Sequence, residues 1–283
     1  MSTIDKKHYW HLIDFALSED LDIIGDITTD STIKENATST ARLIAKEDGV
    51  ICGLQIFDEV FHYLDKSLKC DYFFKDGDIV RKGDLVAKID GNLRAILKGE
   101  RTALNFIQRL SGISSFAHKL VNLVANTKTE ILDTRKTTPG YRYLEKYAVK
   151  TGGASNHRIG LFDMFLIKDN HIAGAGGVVE AVNRAVNYRK ENGIIAKIEI
   201  EVPDLQSFRI ALDTVVDIIM LDNMTNEQIE ECIKLNNGSK KIEVSGNLTY
   251  ERVKELSSFG VDYLSLGALT HSVKSLDLSL LVD

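Results

Sequence analysis

Apolar residues recur at helical spacing over residues 8–18, at Trp10, Ile13 and Leu17, and again over 54–64, at Leu54, Phe57, Val60, Phe61 and Leu64. That period predicts two short amphipathic helices. Between about 68 and 97 the apolar stretches shorten and are punctuated by Asp76-Gly77-Asp78 and Lys82-Gly83-Asp84, which is turn chemistry between strands. The region reads as a small α+β unit. From Glu100 to Asn126 the helical period returns at Leu104, Ile107, Leu110, Ile113 and Leu120, predicting a long helix or a pair of helices that leads into a second region.

Beyond residue 129 the pattern becomes regular. Short β-rich runs follow one another as TEILDT (129–134), MFLIKDNH (164–171), KIEIEV (197–202), DIIMLDN (217–223), KIEVSG (241–246) and YLSLGA (263–268). Between the later runs lie the helix-compatible stretches VVEAVNRAVNYRKENG, LQSFRIALDTV, NEQIEECIKL and YERVKELSSFG, several closing on glycine as helix C-caps do. Repeated βα units with near-continuous apolar strands imply a parallel sheet with helices outside. The interval 129–164 has room for one more strand near 153–158, which brings the count to about seven. The expected fold class is therefore α/β, with a barrel of seven or eight strands preferred to an open doubly wound sheet. An N-terminal α+β domain over 1–110 would precede a barrel over 111–269, and the chain end, 270–283, can return to the first domain.

Composition narrows the class without identifying it. The chain has 283 residues, 44% hydrophobic and 27% charged, and no apolar run approaches the ~18 residues of a membrane helix. The first twenty residues interrupt their apolar positions with acids, unlike a signal peptide, so a cytoplasmic location is expected. Cys52, Cys70 and Cys232 are odd in number and lack CxxC spacing, which argues against a disulfide framework or a cysteine zinc site and for apolar filler. A net charge of −6 argues against a nucleic-acid or anionic-membrane surface. Any anion site must be a local exception.

Such an exception exists. From Asp133 to His171 seven Lys or Arg face four acids, leaving +3, so the remainder of the −6 chain carries −9. Arg142, Lys146 and Lys150, spaced four apart, fit a solvated helix face equally well. Arg135, Lys136, Arg158 and Lys168 lie instead at strand ends or in glycine-rich turns, where cations clamp a carboxylate or phosphate. The strand-end acids Glu201 and Asp222 form a plausible pair for a divalent cation or ribose hydroxyls, and oxygen ligands beside phosphates suit Mg2+. The turns Ser245-Gly246-Asn247 and Leu266-Gly267-Ala268 can offer backbone N–H groups to a phosphate. Polar residues collected at the C-terminal ends of several βα strands describe one shared mouth. An aldolase-type barrel would also put a lysine at a strand end, but a Schiff-base lysine wants a desolvated setting, and Arg135, Lys136 and Arg158 describe an anion pocket. A third reading rests on FKDGDIVRKGDLVAKIDG, which looks like half of a biotinyl or lipoyl carrier sandwich. It lacks the lysine between hydrophobic neighbours that a carrier modifies.

These strings resemble the type II phosphoribosyltransferases, and among them the quinolinate phosphoribosyltransferase family. The matching blocks are ALSEDL with GDITTD, GERTALNFIQRLSGI (99–113), DTRKTTPG (133–140), KYAVKTGGASNHRIGLFDMFLIKDNH (146–171), EIEV (199–202), LDNM (221–224), SGNL (245–248) and LGALTHS (266–272), in order over almost the whole chain. One departure is the spacing in EDLDIIGDIT, which is one residue longer than usual and touches an N-terminal loop. Molybdenum-operon relatives, the alternative with another substrate, share the architecture but depart at the DTRK and IKDNH blocks, both intact here. The resemblance implies an N-terminal sandwich-like domain with an incomplete α/β barrel. It implies a decarboxylating pentosyltransferase that joins quinolinate to phosphoribosyl pyrophosphate in NAD biosynthesis, with Mg2+ and no organic cofactor. Carried onto this sequence, quinolinate would be bound by Arg101, Arg135, Lys136, His157, Arg158 and Lys168. Phosphoribosyl pyrophosphate and metal would use Lys136, Lys168, Glu201, Asp222, Ser245, Gly246, Asn247, Leu266, Gly267, Ala268 and His271, with Thr134 also at the substrate. The catalytic group would be Lys136, Lys168, Glu201 and Asp222, with Glu201 and Asp222 on the metal. The resemblance further implies a homodimer in which Arg101 reaches the partner's site.

Overall fold

A computed structural model describes residues 4–283. The chain divides into two compact units, one formed by residues up to His118 together with Thr137–Gly153 and Ala268–Asp283, the other by Lys119–Lys136 and Ala154–Gly267.

The first unit opens on helices α1 (Trp10–Leu21) and α2 (Ile27–Thr32). Asp26 starts α2 by accepting the main-chain N–H groups of Thr28 and Thr29 at 3.1 and 2.9 Å. Its sheet combines β1 (Thr38–Ala45), β3 (Lys69–Tyr72) and β5 (Leu85–Asn92) with the terminal strand Leu278–Val282, which pairs antiparallel with β1. This last strand thus forms one edge of the sheet, while β2 (Gly49–Val50) pairs with β4 (Ile79–Val80). Helix α3 (Leu54–Leu64) buries Leu54, Phe57, Val60 and Phe61 of the predicted apolar stripe, together with Ile56, and leaves Leu64 half-buried at its end.

Helix α4 (Leu93–Val124) is a single element of 32 residues. It starts earlier than its apolar period suggested because the Asn92 side chain accepts the Ala95 N–H at 3.0 Å and caps it. Arg101 therefore lies inside the helix, exposed, and not in the first turn where a helix beginning at Glu100 would place it. Helix α5 (Arg142–Thr151) also departs from expectation. Lys146 is buried, and its neighbour Glu145, fully buried, pairs with Arg109 at 2.6 Å. Of the three cations expected on a solvated face only Lys150 is exposed, because helix α5 turns the Lys146 side of its surface inward.

The second unit is a parallel sheet of β6 (Glu130–Leu132), β7 (Phe165–Ile167), β8 (Ile198–Val202), β9 (Ile218–Asp222), β10 (Lys241–Ser245) and β11 (Tyr263–Ser265), in the order β6-β11-β10-β9-β8-β7. Helices α6 (Asp169–Ala175), α7 (Val178–Glu191), α8 (Leu205–Leu212), α9 (Asn226–Asn236) and α10 (Tyr250–Ser257) form the crossovers. Thr225 caps α9 and Thr249 caps α10, each through its hydroxyl. The strand expected near 153–158 shrinks to one parallel bridge, Ser155 against Leu132, because Gly152 and Gly153 precede it and Gly153 takes a left-handed φ of 94°. That bridge adds a seventh position beside β6 and leaves the ring incomplete, as the resemblance implied. Cys52 and Cys232 are buried filler, whereas Cys70 is only half-buried. Among the described residues no helix is long and apolar enough to cross a membrane.

Candidate active site

The C-terminal ends of the parallel strands carry the polar groups singled out above. Lys168 follows β7 directly and is the N-cap of α6. Its main-chain N–H donates to His171 Nδ1 at 2.9 Å, which fixes the strand-to-helix turn, and its ammonium pairs with Glu201 Oε2 from β8. The Lys168 side chain is 43% exposed and that of Glu201 15%, so the pair spans the step from the lining of the mouth to solvent.

Asp222 ends β9 and accepts an N–H of the Asn223 side chain at 2.9 Å. Asn223 is the tie between two turns. Its main-chain N–H donates to Ser245 O at 3.1 Å, and its Oδ1 accepts from Asn247 Nδ2 at 3.2 Å. Asn223, Gly246 and Asn247 all adopt left-handed backbone, with φ of 54°, 97° and 47°. A Cβ on Gly246 would overlap the Asn223 side chain, so this turn needs glycine for space as well as for φ. Leu266 N–H already donates to Leu132 O at 2.9 Å and its side chain is core, so the N–H expected to serve a phosphate at this position is committed within the sheet.

Arg135 and Lys136 follow β6, where Lys136 N–H is held by Thr134 Oγ1 at 3.1 Å. Arg158 follows the Ser155 bridge and donates to Met164 O at 3.3 Å. Burial first, and the nearby Arg135 charge second, push the Arg158 guanidinium below its ordinary value. Two guanidiniums that disfavour one another in a half-buried setting are a receptor for an anion, which relieves both penalties. The loop that follows is tied down by Asp163, which accepts from Ile159 N–H at 2.7 Å and Gly160 N–H at 3.0 Å.

Beneath the mouth, His157, Glu199 of β8 and Glu243 of β10 form a buried cluster. Strands β8 and β10 are separated by β9, and His157 lies near β6, so these side chains meet only across the concave inner face. Burial is the largest cause that raises both Glu199 and Glu243 above the usual carboxylate range.

In the other unit, Arg101 is exposed on α4, and Ala268 and His271 lie on the short helix Ala268–His271, where His271 Nδ1 is 2.6 Å from Ser272 Oγ.

The family model for the C-terminal domain of quinolinate phosphoribosyl transferase matches residues 113–281, and that for its N-terminal domain matches 26–111. The chain belongs to the quinolinate phosphoribosyltransferase family. A mitochondrial quinolinate phosphoribosyltransferase [decarboxylating] 2b of Nicotiana tabacum is 43% identical over 99% of this chain and 83% of its own length. A probable nicotinate-nucleotide pyrophosphorylase [carboxylating] of Bacillus subtilis (strain 168) is also 43% identical, over 90% of this chain and 87% of its own. A crystal structure of NadC from Streptococcus pyogenes superposes with a TM-score of 0.94 at 40% identity, covering 100% of this chain and 99% of that one.

Within this family member the parallel unit brings together Thr134, Arg135, Lys136, His157, Arg158, Lys168, Glu201, Asp222, Ser245, Gly246, Asn247, Leu266 and Gly267. Three further residues shape the mouth and were not assigned from sequence. Asn223 joins the Asp222 and Gly246 turns, His171 holds the Lys168 turn, and buried Asp133 accepts the His157 main-chain N–H at 2.9 Å. Each sits in a matching block, LDNM, IKDNH or DTRK, but its role is a turn-fixing hydrogen bond that residue type alone does not announce.

Proposed function

We propose that the chain converts quinolinate and phosphoribosyl pyrophosphate to nicotinate mononucleotide, pyrophosphate and CO2 in NAD biosynthesis. The observation that carries this reading is the half-buried Arg158 with Arg135 bearing on its charge, in the same unit as Lys168 at the end of β7. Quinolinate has two adjacent carboxylates, which repel one another and the incoming diphosphate unless several cations neutralise them. Charge-assisted bonds of about 1.5–3 kcal/mol each make three or four such contacts sufficient for micromolar recognition.

The pyridine nitrogen attacks the anomeric carbon of the ribose as the bond to pyrophosphate breaks. Positive charge that develops on the ribose is met by the Glu201 and Asp222 carboxylates. The bond from C2 to its carboxyl group then breaks, CO2 leaves, and the electron pair stays on the carbon beside the pyridinium nitrogen until a proton from water replaces it. The substrate's own ring is the electron sink, so no organic cofactor enters this reading. Glu201 and Asp222 offer hard oxygen donors of the kind Mg2+ takes together with phosphate oxygens and water. Glu201 shares one oxygen with Lys168, so the protein supplies a partial ligand set and the diphosphate the rest. Bound there, Mg2+ would neutralise charge on the departing pyrophosphate.

The same proposal includes a cytoplasmic homodimer in which Arg101 of one subunit reaches quinolinate held by the other. An aldolase-type Schiff base is disfavoured because the Lys168 side-chain nitrogen is engaged by the Glu201 carboxylate. The test is release of CO2 from quinolinate labelled in its 2-carboxyl group. One CO2 per nicotinate mononucleotide and per pyrophosphate, only with both substrates present, is expected; release without phosphoribosyl pyrophosphate overturns the reading.

A further inference from the structure

His157 was expected to bind quinolinate directly, yet the structure commits both of its ring nitrogens elsewhere. The residue is 7% exposed. Its Nδ1 accepts the main-chain N–H of Arg158 at 2.8 Å, and a nitrogen that accepts an N–H carries no proton. The ring hydrogen is therefore on Nε2, which donates to Glu199 Oε2 at 2.9 Å, with Glu243 Oε1 at 3.6 Å. No donor remains for a substrate carboxylate. The three side chains also have the spacing of metal ligands, their ligating atoms lying within 4.8 Å of one another. Metal on Nε2 would demand a hydrogen on Nδ1, which the bond from Arg158 forbids.

Two glutamates inside a parallel sheet are an expensive way to fill a core, since apolar residues of similar volume would pack there without a desolvation cost. Glu199 lies two residues below Glu201 on the same face of β8, directly under the mouth. Its hydrogen bond selects the one histidine tautomer able to hold the Arg158 main chain, while Asp133 holds the main chain of His157 from the other side.

We propose that Glu199, backed by Glu243, is a positioning residue of the quinolinate site that acts through the His157 tautomer on the aim of Arg158. The inference rests on the proposed reaction for its kinetic arm but not for its spectroscopic one. In the wild-type protein, nitrogen NMR of His157 should show Nδ1 bare and Nε2 protonated; a protonated Nδ1 overturns the proposal whatever the enzyme catalyses. Kinetically, Glu199→Leu should raise KM for quinolinate by about tenfold, equivalent to ~1.4 kcal/mol, and leave KM for phosphoribosyl pyrophosphate within about twofold. Glu199→Gln keeps an oxygen for the Nε2–H and should lie within about threefold of wild type, which also serves if the leucine variant fails to fold. Because Glu199 acts through Arg158, adding Glu199→Leu to Arg158→Ala should cost quinolinate binding nothing further. Additive losses, or equal rises in both KM values, refute the relay. Wild-type protein without quinolinate turnover would instead sink the proposed reaction and leave the NMR test standing.

Discussion

Arg158 and Lys168 are partly exposed cations that fill no core, so removing either takes charge from the mouth and little packing from the fold. Arg158→Ala and Lys168→Ala are expected to abolish turnover while unfolding within a few degrees of wild type. Arg158→Ala should weaken quinolinate at least tenfold, about the loss of one charge-assisted bond. Calorimetric titration checks the binding and circular dichroism the fold; unchanged quinolinate affinity in Arg158→Ala would remove that residue from the site. The cations were legible because a glycine-rich +3 window in an acidic chain is anomalous in composition alone. The role proposed for His157 was not legible, because a histidine that binds a carboxylate and one that holds a main-chain N–H look identical in sequence. The difference lies in which nitrogen faces Arg158.

At the scale of elements, the two ends of the parallel sheet make opposite demands. The C-terminal end holds left-handed turns tied together by Asn223, and Gly246→Ala would force a side chain into that knot. A left-handed non-glycine residue costs about 1–2 kcal/mol before any overlap. The expected result is a raised KM for phosphoribosyl pyrophosphate with quinolinate binding preserved, and steady-state kinetics in each substrate decides it; equal loss in both substrates would contradict a phosphate role for the turn. The N-terminal end is structural. There Asp262 accepts the Ile242 N–H at 3.0 Å and pairs with Lys241 at 2.8 Å and Lys128 at 3.2 Å. Burial works to raise its pKa, but the bonds from Lys241, Ile242 and Lys128 outweigh it and the carboxyl is held below its usual value. A depressed pKa contributes stability above the unfolded-state value near 4, and that stability is lost as pH falls through the folded-state value. Asp262→Asn should therefore cost about 1 kcal/mol at neutral pH and flatten the acid limb of a stability profile, with kcat unchanged. A profile parallel to wild type would show that the ion pairs contribute nothing. Hydrophobic period located these strands within a few residues, since buried parallel strands read as apolar runs. It misplaced the start of α4 and the burial of Lys146, because an Asn92 side-chain bond sets the one and tertiary packing the other.

At the scale of the whole molecule, the proposed homodimer turns on Arg101. It is exposed within α4, and among the described residues it makes no ion pair. A helix starting at Glu100 would have set this cation against the positive end of the macrodipole, but α4 begins eight residues before Arg101. What supports a role is its place in the GERTALNFIQRLSGI block of a chain that belongs to this family, and the proposed dimer would carry it to the partner's quinolinate. If the proposed dimer is isologous, this is testable without structural knowledge of the interface. Arg101→Ala and Arg158→Ala should each be inactive alone. In their mixed dimer one site receives both substitutions and the other receives neither. Random reassortment makes half the dimers mixed, each with one of two sites intact, so activity should return to about a quarter of wild type. Mixed dimers verified by mass yet inactive would place Arg101 in its own subunit's chemistry, and a monomer in sedimentation would remove the shared site altogether.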